Sequence, residues 1–189
     1  MVRVVTRDAN EKRILVLRRP QDDLVSSYLE FIDEMKQAGE KIWEGMIPQP
    51  DESAHDFVQR KLIADISPDP ELVAQATYWA CLEDLTVVGR IALRHGLNDN
   101  LREFGGHIGY EVRPSYRRRG FATEMLRQLL QTPKAQEIGK LLVTCSPNNL
   151  ASNKTIISNG GVLYKTGFVD KWQRDTNYYW IDLVKRNAG

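Results

Sequence analysis

The sequence predicts an α/β fold of the α+β kind, a mixed, mostly antiparallel sheet of six or seven strands flanked by helices. Two observations carry this. The apolar spacing alternates between β-branched runs and helical stripes, in the order strand, two helices, three strands, helix, strand, helix, two strands. Gly and Pro punctuate the changes of period, at Pro20, Gly39, Pro68, Pro70, Pro114 and Gly160-Gly161. A chain of 189 residues can bury one good core and is near the usual size of one domain, so residues 1–189 read as a single unit.

Each element has a local cause. Ile14 to Arg18 is dense in Ile, Val and Leu, ends before Pro20, and reads as a strand. From Asp22 onward Leu24, Tyr28, Phe31, Ile32 and Met35 recur at helical spacing, with carboxylates near the start and Gly39 past the end. Gly45, Pro48 and Pro50 mark a loop, after which Ser53 caps a second helix carrying Phe57, Leu62 and Ile66, ended by Pro68 and Pro70. Val73 to Glu83 and Thr86 to Leu93 are β-branched and aromatic, parted by Asp84 and Leu85, which predicts an antiparallel hairpin. Asn98 to Glu103 reads as a polar connection. Gly106 to Val112 is a strand stopped by Pro114, and Thr123 to Gln131 a helix burying Met125, Leu126, Leu129 and Leu130. Leu141 to Cys145 is a fully apolar strand, Ala151 to Ser158 a short helix closed by Asn159-Gly160-Gly161, and Val162 to Val169 and Thr176 to Leu183 are the last two strands.

Composition excludes several classes. At 42% apolar and 27% charged, the chain is neither disordered nor fibrous. Lys and Arg number 26 against 25 Asp and Glu, a formal charge of +1, so no global field holds a polyanion and no nucleic-acid partner is expected. The longest apolar runs fall far short of the ~20 residues of a membrane span, and no membrane association is expected. Met1 to Glu11 is polar and carries Asp8 and Glu11, unlike a signal peptide with its basic start and apolar stretch, which predicts a cytoplasmic protein. Cys81 and Cys145 lie in apolar runs and read as small core residues; no metal site is expected.

The segment Tyr110-Glu111-Val112-Arg113-Pro114-Ser115-Tyr116-Arg117-Arg118-Arg119-Gly120-Phe121-Ala122-Thr123 passes from a strand through a basic loop into a helix start. The first amides of a helix lack intrahelical acceptors and sit at the positive end of its dipole, so a diphosphate can accept several hydrogen bonds there. Gly120 allows close approach of the main chain, and Arg117, Arg118 and Arg119 add charge around the rim. In isolation such a run is more often a solvated basic turn.

The register Arg-x-x-Gly-x-Ala of residues 117–122 resembles the coenzyme A signature of the GNAT N-acetyltransferase superfamily, Gln/Arg-x-x-Gly-x-Gly/Ala. Gly109 to Pro114 looks like that family's fourth strand, which ends in Val-x-Pro before the loop. Leu141 to Ser146, then Asn149-Leu150-Ala151-Ser152 and Asn159-Gly160-Gly161, is similar to its strand, Asn-x-x-Ser/Ala helix and closing turn, in the same order. The resemblance covers about Val73 to Leu183 and, more loosely, the N-terminal strand and helices. It implies the GNAT fold, with acetyl-CoA as co-substrate, no metal, and a cofactor-binding core over 73–189 with an N-terminal strand and acceptor-side helices over 12–72. It also implies that the fourth and fifth strands splay apart around the pantetheine arm. By the same resemblance, Tyr110 and Val112 would pair with pantetheine through their main chain. Arg117, Arg118, Arg119, Gly120, Phe121, Ala122 and Thr123 would hold the diphosphate, and Asn149 and Ser152 would lie against the cofactor. Asn149 reads equally well as a plain helix cap.

Acetyl transfer by direct attack needs a placed amine, a proton acceptor, donors for the developing oxyanion and a proton for the departing thiolate. The implied acceptor is a primary amine of a small molecule or a peptide N-terminus. His107 is the first candidate base and Glu111 the second; strand alternation sets both opposite Ile108, Tyr110 and Val112, and a bulge expected in this strand would flip that parity. His107 reads as readily as a hydrogen-bonded core histidine, and His95 and His55 have weaker claims. Many relatives carry a tyrosine where this chain has Ile156; Tyr164 and Tyr116 do not occupy that place. Trp43, Glu44 and Glu52 would suit a cationic acceptor. The competing reading is a CoA-binding sensor or regulatory module without catalysis. A homodimer is left open by the sequence.

Overall fold

The computed structural model describes residues 14–66 and 72–186; Pro68 and Pro70, expected to end the second helix, lie outside them. Seven strands occur among these residues, β1 (Val16–Arg18), β2 (Gln75–Cys81), β3 (Val87–Arg94), β4 (Ile108–Val112), β5 (Lys140–Cys145), β6 (Gly161–Val169) and β7 (Arg174–Asp182). They form two hydrogen-bonded sheets, β1-β2-β3-β4 and β5-β7-β6, with every ladder antiparallel. The single sheet expected from the sequence is therefore parted between β4 and β5.

The helices are α1 (Val25–Gln37), α2 (Ala54–Ile63), α3 (Asp99–Glu103), α4 (Phe121–Leu129), α5 (Pro133–Ile138), α6 (Leu150–Ser158) and α7 (Leu183–Arg186). Ser53 Oγ caps α2 by accepting from the Asp56 N–H at 3.1 Å, and the helix stops at Ile63, leaving Ile66 exposed rather than on its core face. Residues 98–103, expected as a plain connection, make a one-turn helix because Asn98 Oδ1 accepts from the Leu101 N–H. Thr132 and Pro133 do the same for α5, which the apolar pattern is too short to reveal.

Two apolar clusters sandwich the first sheet. On one face Ile91, Leu93 and Ile108 join Phe121, Met125 and Leu129 of α4, Ile156 of α6, and Leu141 and Val143 of β5, which docks the second sheet. On the other, Tyr28 and Phe31 of α1 and Phe57 of α2 pack on Trp79 of β2, with the Tyr28 and Trp79 rings stacked at 4.4 Å. The two sheets, α1/α2 and α4/α6 thus meet around the exposed end of β4.

Candidate active site

Arg94 N–H donates to His107 O and Arg113 N–H to Val88 O on either side of β4, so within the strand Gly109 and Glu111 turn their main chain toward β3. Alternation then points the N–H and C=O of Ile108, Tyr110 and Val112 toward the opposite edge, where no strand pairs. The β3/β4 register runs without a bulge from Gly89↔Val112 to Leu93↔Ile108. The parity-flipping bulge anticipated from the sequence is absent, so Tyr110 and Val112 share the α4/α6 face and Glu111 the opposite one.

The edge of β4 is tied to β5 at one end only. His107 N–H donates to Leu142 O at 2.7 Å, and Leu142 N–H donates to His107 Nδ1 at 2.8 Å. Gly106 is required here because a Cβ would lie 2.4 Å from Leu142 O. Beyond this pair no main-chain bond joins β4 to β5 among the described residues, and a gap opens between the strands. Tyr110 reaches across it: its hydroxyl is buried and makes no well-formed hydrogen bond among the described residues, with the Ser152 and Thr155 hydroxyls of α6 close by. Burial pushes the Tyr110 pKa up to about 12, while the Ser152 and Thr155 hydroxyls on α6 pull the other way and the Cys145 thiol stands near.

At the far end the chain turns through Pro114–Tyr116 into α4. Arg118 and Gly120 both have positive φ, at 65° and 85°, and Gly120 caps α4 with no side-chain cap. A Cβ on Gly120 would meet nothing within 4 Å. The N–H groups of residues 118–123 meet no protein acceptor among the described residues. This fits a diphosphate: converging amides, the positive end of a nine-residue helix and open space in front. Thr123 Oγ1 lies 3.5 Å from Thr155 Oγ1, and Asn159 Nδ2 donates to the Thr123 and Thr155 carbonyls, fixing α4 against α6.

The three arginines divide. Arg118 and Arg119 are exposed, Arg119 standing over the Tyr116 ring. Arg117, expected at the diphosphate, is engaged within the protein: its N–H donates to Pro114 O, its Nε to Val112 O at 2.9 Å, and its guanidinium pairs with Glu40. Its work in this structure is to brace the loop on the end of α1. Asn149 caps α6, accepting from the Ser152 N–H at 3.0 Å, which realises the capping alternative for that side chain.

The two candidate bases separate likewise. His107 is buried, and desolvation plus Arg102 and Arg94 pull its pKa down to about 4. With Nδ1 already accepting, its proton sits on Nε2, and the ring has no lone pair left for an amine; the geometry is that of a strand brace. Glu111 accepts from Arg90 Nε at 2.7 Å through Oε2, and among the described residues Oε1 has no hydrogen-bond partner. His95 Nε2 stands 3.0 Å from Asp65, and His55 pairs with Asp22 in solvent. Ile156, at 0% exposure, packs on Gly161 and brings no hydroxyl. Glu52 is not free for a cation: it takes both Arg60 Nε and Nη2 and the Gln49 N–H, which lower its pKa to about 2. Sequence reasoning missed Arg90 and Lys61, charged residues buried beside this face; their interruption of apolar runs was the available signal.

The sequence matches the family described as acetyltransferase (GNAT) domain over residues 15–162. No curated protein matches it. Among solved structures, it superposes on the microcin C7 self-immunity acetyltransferase MccE in complex with acetyl-CoA and AMP with a TM-score of 0.63 at 16% identity, covering 89% of this chain and 92% of that one. The ribosomal-protein-S5-alanine acetyltransferase of Vibrio fischeri gives 0.66 at 13% identity over 89% and 92%. A putative ribosomal-protein-serine acetyltransferase of Vibrio cholerae gives 0.60 at 18% over 96% and 97%. At these identities the likeness is one of fold. No described helix is long and apolar enough to cross a membrane, and no cluster of metal-ligating side chains occurs among the described residues.

Proposed function

This chain belongs to the GNAT acetyltransferase family, and from that premise we propose that it uses acetyl-CoA and acetylates a primary amine of a small molecule or a peptide N-terminus by direct attack. The observation that carries the reading is the pairing of two main-chain surfaces that meet no protein partner among the described residues, the amides of residues 118–123 and the edge of β4 formed by Tyr110 and the Val112 N–H, on either end of one gap.

Bound there, acetyl-CoA supplies an acyl thioester already activated toward an amine. The residue 118–123 amides, with Arg118 and Arg119 at the rim, hold the diphosphate, and Gly120 leaves room for it. Tyr110 and Val112 pair with the pantetheine arm by strand addition, and Ser152 on α6 closes the other wall. The Tyr110 or Val112 N–H donates to the carbonyl oxygen as it gains charge. Glu111 Oε1 takes the proton from the amine, directly or through water, while Arg90 fixes the carboxylate. Tyr110 Oη is the hydroxyl the gap provides, protonated at neutral pH, to hydrogen-bond the departing sulfur.

Thiol release from acetyl-CoA, measured across amines, amino acids and peptide N-termini, tests this. Turnover with at least one acceptor is expected; tight CoA binding without turnover on any of them would overturn it.

A further inference from the structure

On the face of the sheet turned toward α1 and α2, alternation lines up Arg90, Ala92 and Arg94 of β3 with Gly109 and Glu111 of β4. A Cβ on Gly109 would lie 3.6 Å from Arg94 Nη2, so the guanidinium lies along the bare backbone at this point of the strand. From α2, Arg60 and Lys61 pack onto the same region, with Glu52 beside them. Four cationic side chains thus meet two carboxylates. Glu52 is taken by Arg60 and Glu111 by Arg90, and Arg94 Nη1 donates to the Gly105 and Gly106 carbonyls.

Lys61 is left over. It is 8% exposed, and among the described residues its ammonium has no hydrogen bond or ion pair; its one described contact is the Phe57 ring, 5.2 Å away. A buried charge without a counter-ion is costly, and desolvation together with Arg90 and Arg60 brings the Lys61 pKa down to about 7. The surrounding charge is already positive, so what completes the site is an anion.

Two features fix where that anion comes from. The diphosphate amides lie at the start of α4, which packs on the opposite face of this sheet. The carboxylates that would instead draw a cation, Glu52 and Glu111, already hold arginine partners. We infer that the acceptor of the proposed transfer carries an anionic group, a carboxylate or phosphate, near its amine, and that Lys61 receives it. The inference rests on the acetyl-transfer reading above, since it assigns the acceptor to this face.

Matched acceptors test it: β-alanine against β-alaninamide and glutamyl against glutaminyl dipeptides for a carboxylate, and O-phosphoethanolamine against ethanolamine for a phosphate. One charge-assisted hydrogen bond predicts a preference of about tenfold or more in kcat/KM for the anionic member of at least one pair. Lys61→Gln should bring that ratio to about one, and Lys61→Arg should keep most of it. Ratios under about threefold in every pair, or a preference that survives Lys61→Gln, would overturn the inference while leaving the transferase reading intact. If no acceptor turns over, the transferase reading fails, and glutarate alone decides for the anion site. A melting temperature raised by glutarate in the parent protein and not in Lys61→Gln supports it; equal responses overturn it. Lys61→Met provides the same comparison should Lys61→Gln fold poorly.

Discussion

His107 and Leu142 exchange two hydrogen bonds, main chain to main chain and main chain to imidazole, and so pin the two sheets together at the closed end of the gap. The Leu142 N–H needs the unprotonated Nδ1. Unfolded, this histidine titrates near 6.5; folded, burial brings it to about 4. Between those values the unfolded chain binds more protons, so stability rises with pH through the window. The contribution is present above pH 6.5 and is lost as pH falls through 4. We expect up to about 3 kcal/mol from this group. His107→Ala should lower the urea midpoint at pH 7 and flatten its slope between pH 6.5 and 4. A slope equal to that of the parent protein would remove the imidazole from the strand brace.

Gly120 has φ of 85° and open space where a side chain would stand. Aspartate and asparagine tolerate this conformation better than other residues, so Gly120→Asp and Gly120→Asn should both fold. Their effects on binding should differ. A carboxylate facing the diphosphate costs several kcal/mol, so Gly120→Asp should weaken CoA by about a hundredfold or more in calorimetric titration, and Gly120→Asn by much less. Equal affinities for the two variants would place the diphosphate elsewhere.

The contrast between these two residues explains what the sequence could disclose. Gly120, Ala122 and the helix beyond them are local features, set by backbone conformation and period, and the segment reads as an anion site from its own residues. The β2/β3 hairpin is equally local, with Leu85 at φ 65° in its turn. Side-chain commitments across the fold are not. Arg117 is held by Glu40 and Met35, and His107 by a strand 35 residues away; no spacing rule encodes those pairs. The short helices α3 and α5 carried readable caps, Asn98 and the Thr132-Pro133 pair, but too few apolar positions to show a period.

Glu111 stands opposite Arg90 in the β3/β4 ladder, with one carboxylate oxygen bonded and the other without a partner among the described residues. Glu111→Gln keeps a partner for the buried guanidinium but removes the base. We expect kcat to fall by about a hundredfold with little change in acetyl-CoA affinity. Glu111→Ala should in addition lose about 3–5 kcal/mol of stability, because Arg90 is left buried without its counter-ion. A Glu111→Gln enzyme with parental kcat would exclude Glu111 as the proton acceptor.

Tyr110 offers a test in which stability and rate move apart. Its hydroxyl is buried and makes no well-formed hydrogen bond among the described residues, a condition that costs roughly 1–3 kcal/mol when nothing compensates it. Tyr110→Phe removes that oxygen and keeps the ring between β4 and α6. If the hydroxyl were only a packing element, the variant would be at least as stable and fully active. If it bonds the departing sulfur, the melting temperature should hold or rise while kcat falls by about tenfold, the size of one hydrogen bond made in the transition state. The loss should be smaller when a thioester with a more acidic leaving thiol replaces acetyl-CoA, because that thiolate needs less help. A rate loss of the same size with both thioesters would separate the hydroxyl from the leaving group and assign it to binding alone.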